Sequence, residues 1–284
     1  MRRALTLVAL VALVGVGAFA AAAWIGRGDG EQTPATTAPP PLARLTIIFP
    51  EGFTIREMAD RVGAVRGIAI AKRGVTPRLT REGYLRAVDR AVAPSRFRTD
   101  VTRDSLEGFL FPASYEFTQE TTARELVADQ LAAFRQRFRT VDLAYARSKN
   151  LTPYDVLVIA SMIEKETAVP RERRLVAAVI YNRLRNRMPL GIDATIRYGL
   201  GIPGTESLTK VALRSPSPYN TRIHKGLPPT PIANPGLAAI RAAANPARVD
   251  YLYYVRKPKS LAHYFTANER DFLRKVCEYG YACD

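Results

Sequence analysis

VLVIASMIEKETAVP, residues Val156–Pro170, carries an apolar run straight into Glu164, Lys165 and Glu166. Just before it, Thr152-Pro153-Tyr154-Asp155 reads as a helix start. Thr152 offers an N-cap oxygen, Pro153 suits the first helical position because it has no N–H to leave unsatisfied, and Asp155 meets the positive end of the helix dipole. The residues that follow are apolar on every face, which predicts a helix inside its domain. Glu164 continues the row Leu157–Ala160, and Glu166 the row Ile159–Met162. At about 100° per residue the two carboxylates point about 200° apart. An intact helix therefore brings one of them into a cleft and leaves the other to pair elsewhere, for example with an arginine. A carboxyl carried into apolar surroundings holds its proton more tightly and can donate it near neutral pH. A structural salt bridge satisfies the same pattern, and the residues alone leave both readings open.

Working outward, a second helix is predicted from about Pro170 to Arg187, with Leu175, Val176, Val179, Ile180 and Leu184 as its apolar stripe. Arg173, Arg174, Arg183, Arg185 and Arg187 fill the remainder and read mostly as a solvated face. Upstream, Thr122–Phe138 has the helical spacing Leu126, Val127, Leu131, Phe134. Before it, LEGFLFPASYEF (Leu106–Phe117) is aromatic-rich, with Pro112 excluding a central ladder position there. Residues 44–104 read as a small module. LTIIFP (Leu45–Pro50) is a short strand, Thr54 with Glu57 forms a capping box, and a second helix starts near Thr80. This order resembles the βααβ LysM-like modules of cell-wall proteins; a packing subdomain that binds no sugar is the alternative. The fold class expected is α+β: an N-terminal transmembrane helix, the LysM-like module at 44–104, and a domain of helices mixed with short strands at 105–284.

The first residues set the topology. Ala4–Gly26 is an uncharged run behind Arg2 and Arg3. As a helix it reaches about 34 Å, enough to cross a bilayer core of about 30 Å. The two arginines place residues 1–26 as an anchor with the remainder of the chain outside. A cleaved signal peptide ending near Ala18–Ala20 is the rival; it too exports the protein. Arg27–Ala43, rich in Pro and Thr, reads as an extended linker. The net charge of +16 across 284 residues suits anionic surfaces such as lipid headgroups or wall polymers. No nucleic-acid fold signature accompanies it, so no nucleic-acid partner is expected. The two histidines, His224 and His263, and two cysteines are scattered and HExxH is absent, so neither metal nor cofactor is called for. Cys277 and Cys283 can pair in an oxidising compartment or stay as thiols. GLGIPG (Gly199–Gly204) satisfies GxGxxG but lacks a preceding strand and a later acidic residue, and reads as a turn-rich loop.

At this point four stretches together resemble a family. IEKETAVPRERRLVAAVIYNRL (Ile163–Leu184) followed by LGIDATIRYGLG (Leu190–Gly201) looks like the signature of MltG-type (YceG-like) endolytic murein transglycosylases. LEGFLFPASYEF upstream, and SPYNTRIHKGLPPTPIANPGLAAIRAAANP (Ser217–Pro246) and YLYYVRKPKSLAHYF (Tyr251–Phe265) downstream, agree in order. The resemblance implies cleavage within peptidoglycan glycan strands at the MurNAc–GlcNAc bond, leaving 1,6-anhydroMurNAc ends. It makes Glu164 the catalytic acid and base, and Asp193, Tyr219, Asn220 and Thr221 substrate-positioning residues. Gly226-Leu227-Pro228-Pro229 would form a wall of the cleft. It further implies a single-pass inner or plasma membrane protein with its catalytic domain outside, acting beside peptidoglycan synthases. Ala194 and Arg222 stand where the family often has a Pro and an aromatic, Thr230 where it has a Gly, and KPKSLAHYF (Lys257–Phe265) lacks the family's usual glycines before His263. A non-catalytic wall-binding scaffold and a hydrolytic muramidase are the alternatives.

Overall fold

The computed structural model describes residues 43–97, 100 and 105–281. The expected anchor, nearly all of the linker and Cys283 lie outside these residues. Among the described residues no helix is long and apolar enough to cross a membrane.

The chain opens with strand β1 (Leu45–Ile48) and turns through Glu51-Gly52 into α1 (Ile55–Arg73). Thr54 caps α1 by accepting from the Glu57 N–H, and the Glu57 carboxylate accepts from the Thr54 N–H in return. The helix stops at Gly74, whose φ of 62° is the left-handed conformation a residue without Cβ adopts freely. Helix α2 (Arg81–Arg90) starts at its Thr80 cap. Strand β2 (Ser114–Phe117) then returns antiparallel to β1, Leu45 opposite Phe117 and Ile48 opposite Ser114. The order is therefore β-α-α-β, with its closing strand beyond residue 104. Pro112 falls just before that strand, where it costs no ladder hydrogen bond.

Helix α3 (Ala123–Phe138) packs on α2 and carries Phe134 and Phe138 into an aromatic cluster with Phe97 and Phe109, ring centroids 5.0–5.6 Å apart. Tyr84 of α2, fully buried, donates to Gln130 Oε1 of α3 at 2.7 Å, which satisfies both polar groups away from water. After the single turn α4 (Ala144–Arg147), helix α5 (Pro153–Glu166) runs through the centre. Tyr154 and Val156–Ile163 are all buried, as its uniformly apolar faces require. Alanine-rich α9 (Leu237–Ala244) lies against it, its small side chains permitting close approach, and α6 (Arg173–Arg185) covers a further side. Short helices α7 (Asp193–Leu200) and α8 (Lys210–Leu213) precede α9; the hairpin β3 (Tyr253–Arg256) and β4 (His263–Thr266) with α10 (Glu269–Glu278) closes the chain. The described residues share one hydrophobic core, from Ile47 and Tyr84 through Leu157 to Ala243. The mixed helix and short-strand expectation holds.

Two local readings change. The solvated face expected for the α6 arginines is partly structural. Arg174 donates to the carbonyls of Asn245 and Pro246, and Arg183 to those of Leu252, Pro189 and Leu190. A guanidinium has five donors in a fixed fork and can hold several loop carbonyls at once. The GLGIPG stretch is not wholly loop either: Gly199 and Leu200 finish α7, and Gly201 ends it at φ 67°.

Candidate active site

Helix α5 ends at Glu166, so Glu164 and Glu166 both occupy its last turn. The negative end of the helix dipole already disfavours a carboxylate there. Thr167 leaves the helical conformation and Pro170 follows, which fixes where the helix stops.

Glu164 is the better placed for chemistry. Its side chain is only 6% exposed. Oε2 accepts from the Gly236 N–H at 2.9 Å. Oε1 is 3.9 Å from Arg173 Nη2, too long for a hydrogen bond, and so remains available for a proton. Burial raises its proton affinity, the Gly236 N–H opposes that, the nearby Glu51 adds to it, and Arg173 and Lys165 oppose it weakly. Gly52 closes over the site. At φ 81°, its missing Cβ would lie 3.4 Å from Glu164 Cγ, and its carbonyl accepts from Lys165 Nζ at 3.2 Å.

Glu166 points away, as the helical geometry requires, but its partner is not an arginine. Its carboxyl accepts from Tyr254 Oη at 2.9 Å, and burial holds its proton affinity up against that bond and a minor pull from the Ala194 backbone. Arg173, the cation of this end of the fold, faces Glu164 instead. Beside Tyr254, His263 Nδ1 lies 2.8 Å from Glu172 Oε2, and the His263 N–H also donates to that carboxylate. That is the satisfied packing of an ordinary partly buried histidine. The other histidine, His224, is exposed.

A further buried acid is Glu107. Glu107, 2% exposed, accepts from the Ile55 N–H, from Asn234 Nδ2 at 2.7 Å and from Tyr198 Oη. Burial pushes its carboxyl up to about 8, against the pull of those donors. Asn234, fully buried, uses every polar atom it has. Oδ1 accepts from the Gly108 and Leu110 N–H groups, Nδ2 also donates to Phe53 O, its N–H donates to Phe53 O, and its carbonyl accepts from Gly52. This joins three segments, Gly52–Ile55, Glu107–Leu110 and Ile232–Gly236. The last presents the N–H that Glu164 uses.

The other sequence candidates lie elsewhere. Asp193, the first residue of α7, is half-exposed and paired with Arg222, at 2.7 Å from Nη2 and 2.9 Å from Nε. It is close enough to Glu166 for the two charges to interact. Tyr219 packs its ring on Tyr198 at 5.2 Å and bonds Thr230 Oγ1 at 2.8 Å, on the Glu107 side. Asn220 is fully buried, Nδ2 donating to the Leu213 and Ser215 carbonyls and Oδ1 accepting from the Arg222 N–H. Thr221 Oγ1 accepts from the Ile192 N–H and bonds Thr195 Oγ1. Asn220 and Thr221 thus hold the loop that carries Tyr219 and Arg222. Among the described residues none of the four bonds Glu164. Three of the departures from the family pattern lie against acids or candidates: Ala194 beside Glu166, Arg222 on Asp193, and Thr230 on Tyr219. Glu51, Gly52, Glu107, Asn234 and Gly236 were missed because each joins the site across a long stretch of sequence. The only local hints are the Glu51-Gly52 turn before a capped helix and the Asn234-Pro235-Gly236 run before α9.

The model of the YceG-like family matches residues 31–278. The chain is 37% identical over 259 residues to a protein of Streptococcus pneumoniae (strain R6) named endolytic murein transglycosylase, covering 84% of this chain and 45% of that one. A Bacillus subtilis (strain 168) protein of the same name is 32% identical over 213 residues, 72% of this chain and 59% of its own length. The chain thus spans about half the length of the curated relatives it matches. A crystal structure of a putative YceG-like protein from Listeria monocytogenes aligns with a TM-score of 0.67 and 28% identity, over 81% of this chain and 75% of that one. Motif order, fold and these alignments agree: the chain belongs to the YceG-like family.

Proposed function

We propose that the protein is an endolytic lytic transglycosylase of peptidoglycan, with Glu164 as its general acid and base. The observation that carries this reading is the state of Glu164: a buried carboxyl with raised proton affinity, one oxygen held by the Gly236 N–H and the other not hydrogen-bonded. The name of its relatives supports the substrate class. In the proposed reaction Glu164 gives its Oε1 proton to the glycosidic oxygen as the bond from C1 of MurNAc breaks. The C6 hydroxyl of the same sugar then bonds to C1, and its proton passes to the Glu164 carboxylate. The acid is regenerated and no water is consumed. A fixed acid of raised proton affinity suits the first step, and its conjugate base the second.

Asp193 and Tyr219 position substrate in this reading, with Asn220 and Thr221 shaping the loop between them. The β-α-α-β order supports a LysM-like segment, and the Ala4–Gly26 run supports a single-pass anchor holding the catalytic part outside the cytoplasmic membrane. The basic excess favours action close to anionic lipid and wall polymer, where peptidoglycan synthases are the plausible partners by family resemblance. Mass spectrometry of peptidoglycan treated with the purified protein tests the reading. Internal cleavage with 1,6-anhydro ends is expected. Reducing ends would instead identify a hydrolytic muramidase, and the absence of products a wall-binding scaffold.

A further inference from the structure

Two carboxyl groups converge on Gly236. Its N–H donates to Glu164 Oε2, and on its other side a Cβ built on its Cα would coincide with the carboxyl group of Glu51. Glu51 comes from the turn between β1 and α1, far from α5 in sequence. That turn is firmly held: the Gly52 N–H donates to Asn234 O at 2.9 Å, and the Gly52 carbonyl accepts from Lys165 Nζ. Gly236 itself has an ordinary φ of −74°, so its backbone does not require glycine; a Cβ there would displace the exposed Glu51 carboxyl from its place.

We propose that Glu51, brought against Gly236 by the turn between β1 and α1, is a positioning residue of the acid site that helps keep the proton on Glu164. Like charges placed together disfavour the ionised form, so Glu51 works in the same direction as burial. The charges facing Glu164 from the packed elements are Glu51 from this turn, Arg173 from α6 and Lys165 from α5 itself; the two cations pull the other way. With Glu51 in place, Glu164 holds its proton to higher pH. The catalytic half of this inference rests on the function proposed above; the electrostatic half does not.

The test is a carbon-13 NMR titration of the Glu164 carboxyl in the protein, assigned by its loss in Glu164→Gln. The midpoint is expected to fall in both Glu51→Gln and Glu51→Ala; an unmoved midpoint in both overturns the proposal. A double-mutant cycle on thermal unfolding checks the contact. Gly236→Ala is expected to lower the melting temperature more with Glu51 present than in the Glu51→Ala background, and to lower the Glu164 midpoint by displacing the Glu51 carboxyl. Equal losses in the two backgrounds also overturn it. The ratio of anhydro-product formation at about pH 8 to that at about pH 5 is expected to drop roughly threefold or more in Glu51→Gln, since less Glu164 remains protonated at the higher pH. If the midpoint falls but the wild-type protein releases no anhydro products, the functional reading fails and the electrostatic coupling stands. If the wild-type protein cleaves and the midpoint does not move, only the coupling fails.

Discussion

At the scale of single residues, two glutamates two positions apart have different surroundings, and their substitutions should separate. Glu164→Gln keeps the shape and can still accept from the Gly236 N–H, but it has no proton to transfer. It is expected to melt like the wild-type protein and to lose about 10²–10⁴-fold in anhydro-product formation, the usual worth of general acid–base catalysis. Glu166 is buried and accepts from Tyr254 Oη; an amide keeps one oxygen for that bond but adds an N–H₂. Glu166→Gln therefore buries an N–H₂ that has no acceptor there. It should cost about 1–3 kcal/mol of stability, the penalty of a buried polar group left unmatched, with a smaller loss of activity. Parallel melting and product assays decide. If Glu164→Gln keeps near-wild-type turnover, or Glu166→Gln abolishes it without loss of fold, the roles are reversed. The helical angle between the two was legible from spacing alone. The partner of Glu166 was not, because Tyr254 reaches it from β3, which no local pattern announces.

At the scale of elements, the starts of α1, α3 and α5 were readable because the physics is local. Thr54 with Glu57, Thr122 with Glu125 and Thr152 with Asp155 each cap within three residues. The strand that closes on β1 was harder, since Ser114–Phe117 lies 66 or more residues away and has little periodicity of its own. What joins the elements around Glu164 is less local still. Asn234 and Glu107 are 127 residues apart in the chain, and their pairing exists only once three segments have met. Asn234 is therefore the position where the architecture should be most sensitive. Asn234→Ala leaves the Gly108 and Leu110 N–H groups and the Phe53 carbonyl without their side-chain partner. Several unmatched buried groups at about 1–3 kcal/mol each put the expected loss above that of any single surface change. Asn234→Asp is the sharper probe. It keeps an acceptor for Gly108 and Leu110 but cannot donate to Phe53 or Glu107, and it places a second acid against a buried one. Both variants should unfold at lower denaturant and lose cleavage through displacement of the Gly236 N–H. Wild-type stability in Asn234→Asp would show that the three segments are held by packing alone.

At the scale of the whole molecule, the buried acids set how stability follows pH. Glu107 is pushed up to about 8 by burial, whereas an unfolded glutamate titrates near 4.3. Above that lower value the unfolded chain releases the proton while the native fold keeps it, so stability falls as pH rises and levels off once the folded group also ionises. The window for Glu107 is therefore from about pH 4.3 to about pH 8. The slope within it is at most about 1.4 kcal/mol per pH unit for one proton. Burial moves Glu164 and Glu166 in the same direction, which adds to the decline. Glu125 and Asp271, on the surface, are held down by hydrogen bonds, to Thr122 and to Tyr264 and Arg274 respectively. Their contribution has the opposite sign and is lost as pH falls below the ordinary carboxylate range. Repulsion from the net charge of +16 also grows there as carboxylates are neutralised. The protein should accordingly be most stable in mildly acidic solution and decline toward pH 8. Glu107→Gln removes one of the three titrations on the alkaline side while leaving the acid side alone. The amide also faces the Ile55 and Tyr198 donors, so its curve should lie lower throughout but fall less steeply between pH 5 and 8. Melting temperatures of the two proteins across that range measure the difference directly. Parallel curves would mean that Glu107 is ionised in the native state at every pH in the window, its three donors outweighing the cost of burial.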